Sequence, residues 1–218
     1  MPTQTKENYL KALFYLHQKD PLISLTDLSK DLGVSMPTVN DMVKKLQAKG
    51  WVVYTKYKPL QFTEAGTRQA AMIIRKHRLA EMFLSQVMGF GWEEVHDMAE
   101  EMEHLKLEQF FDRMDELLGF PTVDPHGSPI PNKEGIFTKT TYLPISEFAI
   151  GKKVVLRALK NSSTEFLLYL NKKEIKLGTM LKIEDREPFD NSLSVSYNDQ
   201  ANVVLSEAIC DCLLVEEV

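Results

Sequence analysis

Residues 96–104 read HDMAEEMEH, with four carboxylates and two imidazoles in nine positions. Wound at about 100° per residue, His96, Glu100, Glu103 and His104 fall within one arc of roughly 100°. Val95, Met98, Ala99 and Met102 fill the adjoining arc and form a core-facing stripe. A solvated acidic face would lie opposite that stripe. These side chains lie at its border, where they are half buried. Unpaired charge there is costly, so the arc needs a counter-charge, from a divalent cation or from basic side chains elsewhere in the chain.

A second helix brings more ligand-type residues. Thr63 caps a helix running from Glu64 to about Val87 and closed by Gly89, and on it His77 and Glu81 share a face. A short turn joins this helix to the acidic one, so the two pack antiparallel. His77 and Glu81 then approach His96, Glu100, Glu103 and His104. The following segment, LEQFFDRMDELLG, has apolar residues at 107, 110, 111, 114, 117 and 118. That wide stripe exceeds what a small core needs and points to a homodimer seam.

The elements before these helices form a DNA-binding pattern. In SLTDLSKDLGVSMPTVNDMVKKLQAKGWVVY, Ser24 caps a short helix that buries Leu25, Leu28 and Leu32, and Gly33 allows a tight turn. Ser35 caps a second helix with Pro37 in its first turn and Val39, Met42, Val43 and Leu46 as its buried stripe. Gly50 ends it, and a hairpin through Gln61–Phe62 completes a winged helix-turn-helix. Ser35, Met36, Pro37, Thr38, Asn40 and Asp41 stand at the end of the recognition helix that faces base edges. Lys44 and Lys45, with Lys56, Tyr57 and Lys58 of the wing, are placed for phosphates.

Charge follows the same division within a net −5 over 218 residues. Residues 1–62 carry nine Lys/Arg against five Asp/Glu, and residues 63–120 carry six against twelve. A basic head suits a polyanion and an acidic middle suits cations. No signal-peptide pattern or membrane-length apolar run is present, so a cytoplasmic protein without membrane contact is expected. Cys210 and Cys212 lack a CxxC partner set and read as part of one strand.

Pro121, Pro125, Pro129 and Pro131 with Gly119, Gly127 and Gly135 mark residues 119–142 as irregular. Beyond them, KKVVLRAL, EFLLYL, TMLKIED, SLSVSYN and CLLVEEV read as strands of a small barrel, with LSEAIC as a short helix. The expected organisation is a DNA-binding domain over 1–62, a helical metal-binding and dimerisation domain over 63–131, a linker over 132–142 and a β domain over 143–218. The fold class is mainly α with a small β domain.

RKHRLAEMFL, HDMAEEMEH and FPTVDPHGSPIP, in that order after a winged helix, resemble the diphtheria-toxin-repressor family of metal-dependent regulators, in particular its manganese-responsive, three-domain members. The likeness covers essentially the whole chain, with the β domain matching the family's SH3-like, FeoA-like domain. It implies a primary metal site of Glu100, Glu103, His104 and Asn8. It implies an ancillary site of His77, Glu81 and His96, plus Glu165 from the β domain. The iron-responsive branch has cysteine in place of Glu100, and a carboxylate there favours Mn²⁺, with Fe²⁺ the alternative ion. Asn8 departs from the pattern, since the manganese branch has aspartate there and the iron branch methionine. An amide oxygen can ligate but brings no charge, so the primary site binds more weakly or Glu7 completes it. Lys11 stands where some two-domain manganese members are acidic, which argues against a closely spaced dinuclear pair.

The function implied is a homodimeric repressor that binds palindromic operator DNA when loaded with Mn²⁺ and controls metal-uptake genes. One rival is a di-metal enzyme on a helical scaffold. Its paired Glu-x-x-His motifs do not match the spacing here, so no enzyme is expected. Another rival is a DNA-binding protein whose metal is purely structural.

Overall fold

The head's helices begin where their capping hydroxyls stand. In the computed structural model, which describes residues 3–56 and 58–218, helix α1 (Thr3–Lys19) precedes α2 (Leu25–Asp31) and α3 (Met36–Ala48). The Ser24 hydroxyl accepts from Asp27 N at 3.0 Å, and the Ser35 hydroxyl accepts from Thr38 N at 3.5 Å. Gly33 sits between the two helices at φ +62°, a conformation that favours glycine. Strands β1 (Val52–Val53) and β2 (Gln61–Phe62) pair antiparallel as the wing. Helix α4 (Glu64–Gln86) follows, then α5 (Val95–Met102) and α6 (Glu108–Leu117). The C-terminal part contains β3 (Leu143–Pro144), β4 (Lys153–Leu159), α7 (Thr164–Lys172), β5 (Met180–Arg186), β6 (Leu193–Tyr197), β7 (Gln200–Leu205), α8 (Glu207–Cys210) and β8 (Leu213–Glu217).

The described chain divides into two compact units. The first comprises Met1–Ala80, Asp97–Thr122 and Ile130–Thr138, and the second comprises Glu81–His96, Val123–Pro129 and Lys139–Val218. In the first unit, Leu10 and Leu13 of α1, Leu28 of α2, and Val39, Val43 and Leu46 of α3 share one core with Leu60 and Ile74. Burial of each such side chain is worth about 1.5–3 kcal/mol. Gly66 lies where a Cβ would meet the Trp51 carbonyl oxygen at 1.8 Å, so the start of α4 packs directly on the wing's backbone. The Thr63 hydroxyl accepts from Gly66 N at 3.0 Å, as its capping role requires. Arg75 of α4 donates to Asp115 of α6 at 2.6 Å and to the Pro131 carbonyl at 2.7 Å, and this buried bridge sets α6 against α4.

The second unit holds a six-stranded antiparallel sheet in the order β3-β8-β4-β5-β6-β7. Register shifts interrupt the β4–β8, β5–β6 and β6–β7 pairings. Leu193, Val195 and Tyr197 of β6 point inward in alternation, as the period-two pattern requires.

Three expectations need correction. EFLLYL is not a strand but the body of α7. Phe166, Leu167 and Leu170 are buried while Leu168 is 43% exposed. A strand would have put Leu168 on the buried face with 166 and 170, whereas a helix turns it away. The Ser163 hydroxyl, accepting from Phe166 N at 3.4 Å, starts that helix. Strand β7 was not expected, because QANVVL lacks regular alternation and only Leu205 is fully buried. Finally, α5 ends at Met102, so His104 lies in the turn beyond it, although Glu103 N still donates to Ala99 O at 2.9 Å.

Candidate metal centre

Most of the expected primary set assembles between α1 and the end of α5, within the first unit. Glu103 is fully shielded from solvent. Its Oε2 lies 2.6 Å from His77 Nδ1, and its two carboxylate oxygens accept from Lys11 Nζ at 2.8 and 2.9 Å. Lys11 also donates to Glu100 Oε2 at 2.5 Å. Ligand atoms of His77, Glu100 and Glu103 lie within 4.8 Å of one another, spacing that suits a common ion. On α1, Lys11 lies four positions from Glu7 and three from Asn8, spacings that bring each of those residues near its face of the helix.

Two atoms of this set lack a hydrogen-bond partner. His104 Nδ1 meets Glu7 Oε2 at 2.6 Å, and a carboxylate can only accept, so Nδ1 carries the proton. His104 Nε2 is buried without a hydrogen-bond partner among the described residues, 3.7 Å from Glu103 Oε1. Asn8 Oδ1 is buried and unpartnered in the same way. Buried polar atoms are rarely left without a partner, because each costs about 1–3 kcal/mol. With the Glu100 and Glu103 carboxylates these atoms are of oxygen-rich donor types, which suit a harder divalent ion such as Mn²⁺ or Fe²⁺.

Lys11 was not among the expected site residues. Burial works against its ammonium, but Glu103 and Glu100 outweigh burial and hold its pKa above the ordinary lysine value. Its contacts lie 89 and 92 residues away in sequence, beyond the reach of any helical spacing.

The expected ancillary set draws on α4, α5 and α7. Glu81 and His96, both of the second unit, approach at 3.4 Å, yet the His96 side chain is 56% exposed. His77 precedes Glu81 by one turn of α4, and its Nδ1 is engaged by Glu103. Glu165 is exposed in the first turn of α7 and is not brought into a ligand cluster among the described residues.

A further cluster in the second unit joins Glu81 to Asp124 and His126, all three buried, with ligand atoms within 4.8 Å. His126 Nε2 lies 2.8 Å from the Trp92 carbonyl oxygen, so Nε2 carries the proton. Nδ1 faces Glu81 and Asp124, each at 3.9 Å. An imidazole fixed through its far nitrogen is the usual arrangement of a metal ligand. Asp124 Oδ1 also accepts from His126 N at 2.8 Å and Ser128 N at 2.9 Å, which fixes the loop. Gly127 lies against β4 at φ +86°, where a Cβ would meet the Arg157 carbonyl oxygen at 2.2 Å. Asp124 and His126 escaped sequence reading. DPHG was visible as turn chemistry, but a turn has no periodicity that shows where its side chains point.

In the head, Met36, Pro37, Asn40 and Lys44 of α3 and Lys56 and Lys58 of the wing line an open groove of about 910 Å³. Ser35, Thr38 and Asp41 are exposed on or beside α3. Lys45 bonds Asp41 at 2.6 Å, and that hydrogen bond lowers the Asp41 pKa. Tyr57 lies outside the described residues.

A winged helix joined to helices bearing convergent imidazoles and carboxylates defines the class: a DNA-binding head coupled to a metal-ligand body. The chain belongs to the diphtheria-toxin-repressor family of metal-dependent transcriptional regulators. Residues 1–60 match the iron dependent repressor N-terminal DNA binding domain. Residues 63–132 match the metal binding and dimerisation domain, and residues 143–217 match the FeoA domain. The iron-dependent repressor IdeR of Mycobacterium tuberculosis is 35% identical over 127 residues, which cover 58% of this chain and 55% of IdeR. The chain thus spans about half the length of that relative. The diphtheria toxin repressor of Corynebacterium diphtheriae is 26% identical over 98% of this chain and 97% of its own. Among solved structures, a manganese-dependent transcriptional repressor in complex with manganese superimposes with a TM-score of 0.85. It is 29% identical to this chain, over 98% of this chain and all of that one.

Proposed function

We propose that the chain is a Mn²⁺-responsive, homodimeric transcriptional repressor that binds palindromic operator DNA, with Fe²⁺ as the alternative effector. The observation that carries this reading is the pair of buried atoms without a hydrogen-bond partner, His104 Nε2 and Asn8 Oδ1, in the compact unit that also holds Glu100 and Glu103. A divalent cation bound there gives these two atoms the partner they lack. Asn8 belongs to the first helix and Glu103 and His104 to the end of α5. Ligation by both therefore fixes α1, whose Leu10 and Leu13 pack in the same core as α3.

The ancillary position takes Glu81 and His96, with His77 on the same helix as Glu81 and with Asp124 and His126 as additional donors. Glu165 is proposed as the β domain's contribution. Leu107, Phe110 and Leu117 on or beside α6 are 57%, 40% and 66% exposed, while Phe111 and Met114 are buried. The exposed row supports pairing of two copies, and two copies present two recognition helices to a symmetric operator. The metal controls DNA binding through its differential affinity for the competent state. No helix among the described residues is long and apolar enough to cross a membrane, and a cytoplasmic site of action is part of this proposal.

The test is Glu103→Ala, followed by operator retardation and Mn²⁺ titration. Loss of metal-activated operator binding with the fold intact is expected. Operator affinity equal to the wild type at saturating Mn²⁺ would sink the assignment.

A further inference from the structure

We propose that Lys11 is a tethered counter-cation that occupies the carboxylates of the primary site in the metal-free protein and is displaced when a divalent ion binds, so that it sets the metal concentration at which the site fills. This rests on the reading of Glu100, Glu103, His104 and Asn8 as a metal site.

The ammonium contacts three carboxylate oxygens, Glu100 Oε2 at 2.5 Å and both oxygens of Glu103 at 2.8 and 2.9 Å. The Lys11 side chain is 12% exposed and Glu103 is fully shielded, so this is no surface pairing screened by salt. A metal ion coordinates carboxylate oxygens at about 2–2.3 Å. An ammonium left on the same oxygens would then face a divalent charge only a few ångströms away in a shielded site, where repulsion is strong. The ion and the ammonium therefore exclude each other. Lysine suits the role because its four-carbon stem is flexible and its head is a compact point charge, able to swing to solvent once displaced.

Two consequences follow. Without metal, Lys11 already ties α1 to α5, so the buried carboxylates do not repel and α1 stays docked. With metal, the effector must first overcome this internal pairing, which raises the concentration needed. The neutral amide of Asn8 acts in the same direction, since neither α1 residue adds negative charge to the site.

The experiment compares full-length wild type with Lys11→Met, Lys11→Arg and Glu103→Ala by isothermal titration with Mn²⁺ in the absence of DNA. Hydrogen exchange of α1 amides is then measured in chelator and in Mn²⁺. For Lys11→Met, a midpoint lowered about tenfold or more is expected, together with faster α1 exchange in chelator that Mn²⁺ reverses. Lys11→Arg keeps the charge and should hold the midpoint near that of the wild type. Lys11→Gln, smaller and polar, replaces the methionine variant if the latter fails to fold. A midpoint unchanged or raised in the neutral variants, with Glu103→Ala removing Mn²⁺ uptake at the primary site, overturns the role of Lys11 and leaves the metal site standing. Mn²⁺ uptake unaffected by Glu103→Ala overturns both.

Discussion

Glu7 Oε2 stands 2.6 Å from His104 Nδ1 and thereby determines which nitrogen of that imidazole faces the ligand set. The contact joins α1 to the turn after α5 across 97 residues of sequence. A residue that touches no ion in this arrangement thus controls the tautomer and orientation of one that is proposed to do so.

Glu7→Ala should weaken Mn²⁺ binding by about 10- to 100-fold, the usual effect of removing a ligand's outer partner. Glu7→Gln, which keeps an accepting oxygen, should recover part of that loss. Titration calorimetry of both variants checks this, and equal midpoints in Glu7→Ala and wild type would remove Glu7 from the site.

Asn8→Asp should lower the Mn²⁺ concentration that activates DNA binding. The substitution places a negative charge where a buried amide oxygen has no partner, and at close range such a charge is worth a few kcal/mol before desolvation. The gain should be larger for Mn²⁺ than for softer ions, because no soft ligand is added. If Asn8 only packs within the first helix, neither Asn8→Asp nor Asn8→Ala will move the midpoint.

Lys44→Ala should weaken binding to operator and to random DNA by similar factors. Lys44 is exposed on α3 and lines the groove with the wing lysines, a position for phosphate rather than base edges. The salt dependence of binding should fall by about one unit for each phosphate that is no longer neutralised, one per protomer. A variant that lost only its sequence preference would reassign Lys44 to base reading.

Burial pushes the Cys210 thiol up to about 11, from an ordinary value near 9.0. The folded protein therefore holds this proton more tightly than the unfolded chain. Its contribution to stability is complete below the unfolded value and is lost as pH rises from about 9 toward about 11. Cys210→Ala should flatten that part of the stability profile. Alkylation of the native protein at pH 8 should modify the partly exposed Cys212 and spare Cys210, as peptide mapping will show.

The acidic helix was legible because its chemistry lies within nine residues and a single helical arc sorts it. The head was legible because caps, glycines and apolar spacing all agree, and Ser24, Ser35 and Gly33 stand as that agreement requires. Lys11 was visible as a residue but not as the partner of Glu100 and Glu103, and Glu7 was expected as a substitute ligand rather than as the partner of His104 Nδ1, since those partners lie 89 to 97 positions away. Asp124 and His126 were hidden for another reason. Their loop is shaped by turn hydrogen bonds and by the close approach of Gly127 to β4, neither of which leaves a periodic trace. EFLLYL misled because a short apolar run fits a strand and a buried helix face equally well, and only the exposure of Leu168 separates them.

Trp92 gives up its carbonyl oxygen to His126, and its indole stacks beside the same imidazole, with ring centroids 6.2 Å apart and planes inclined by 19°. Its Nε1 is held at the other end by Asn171 at 2.9 Å. The ring is thus clamped next to a group whose electron density changes when Nδ1 takes a metal. The chain carries only one other tryptophan, Trp51, which packs against the core of the head. With Trp51→Phe as background, the emission of Trp92 becomes an optical gauge of what happens at His126, read without a label and separately from events at the DNA-binding end.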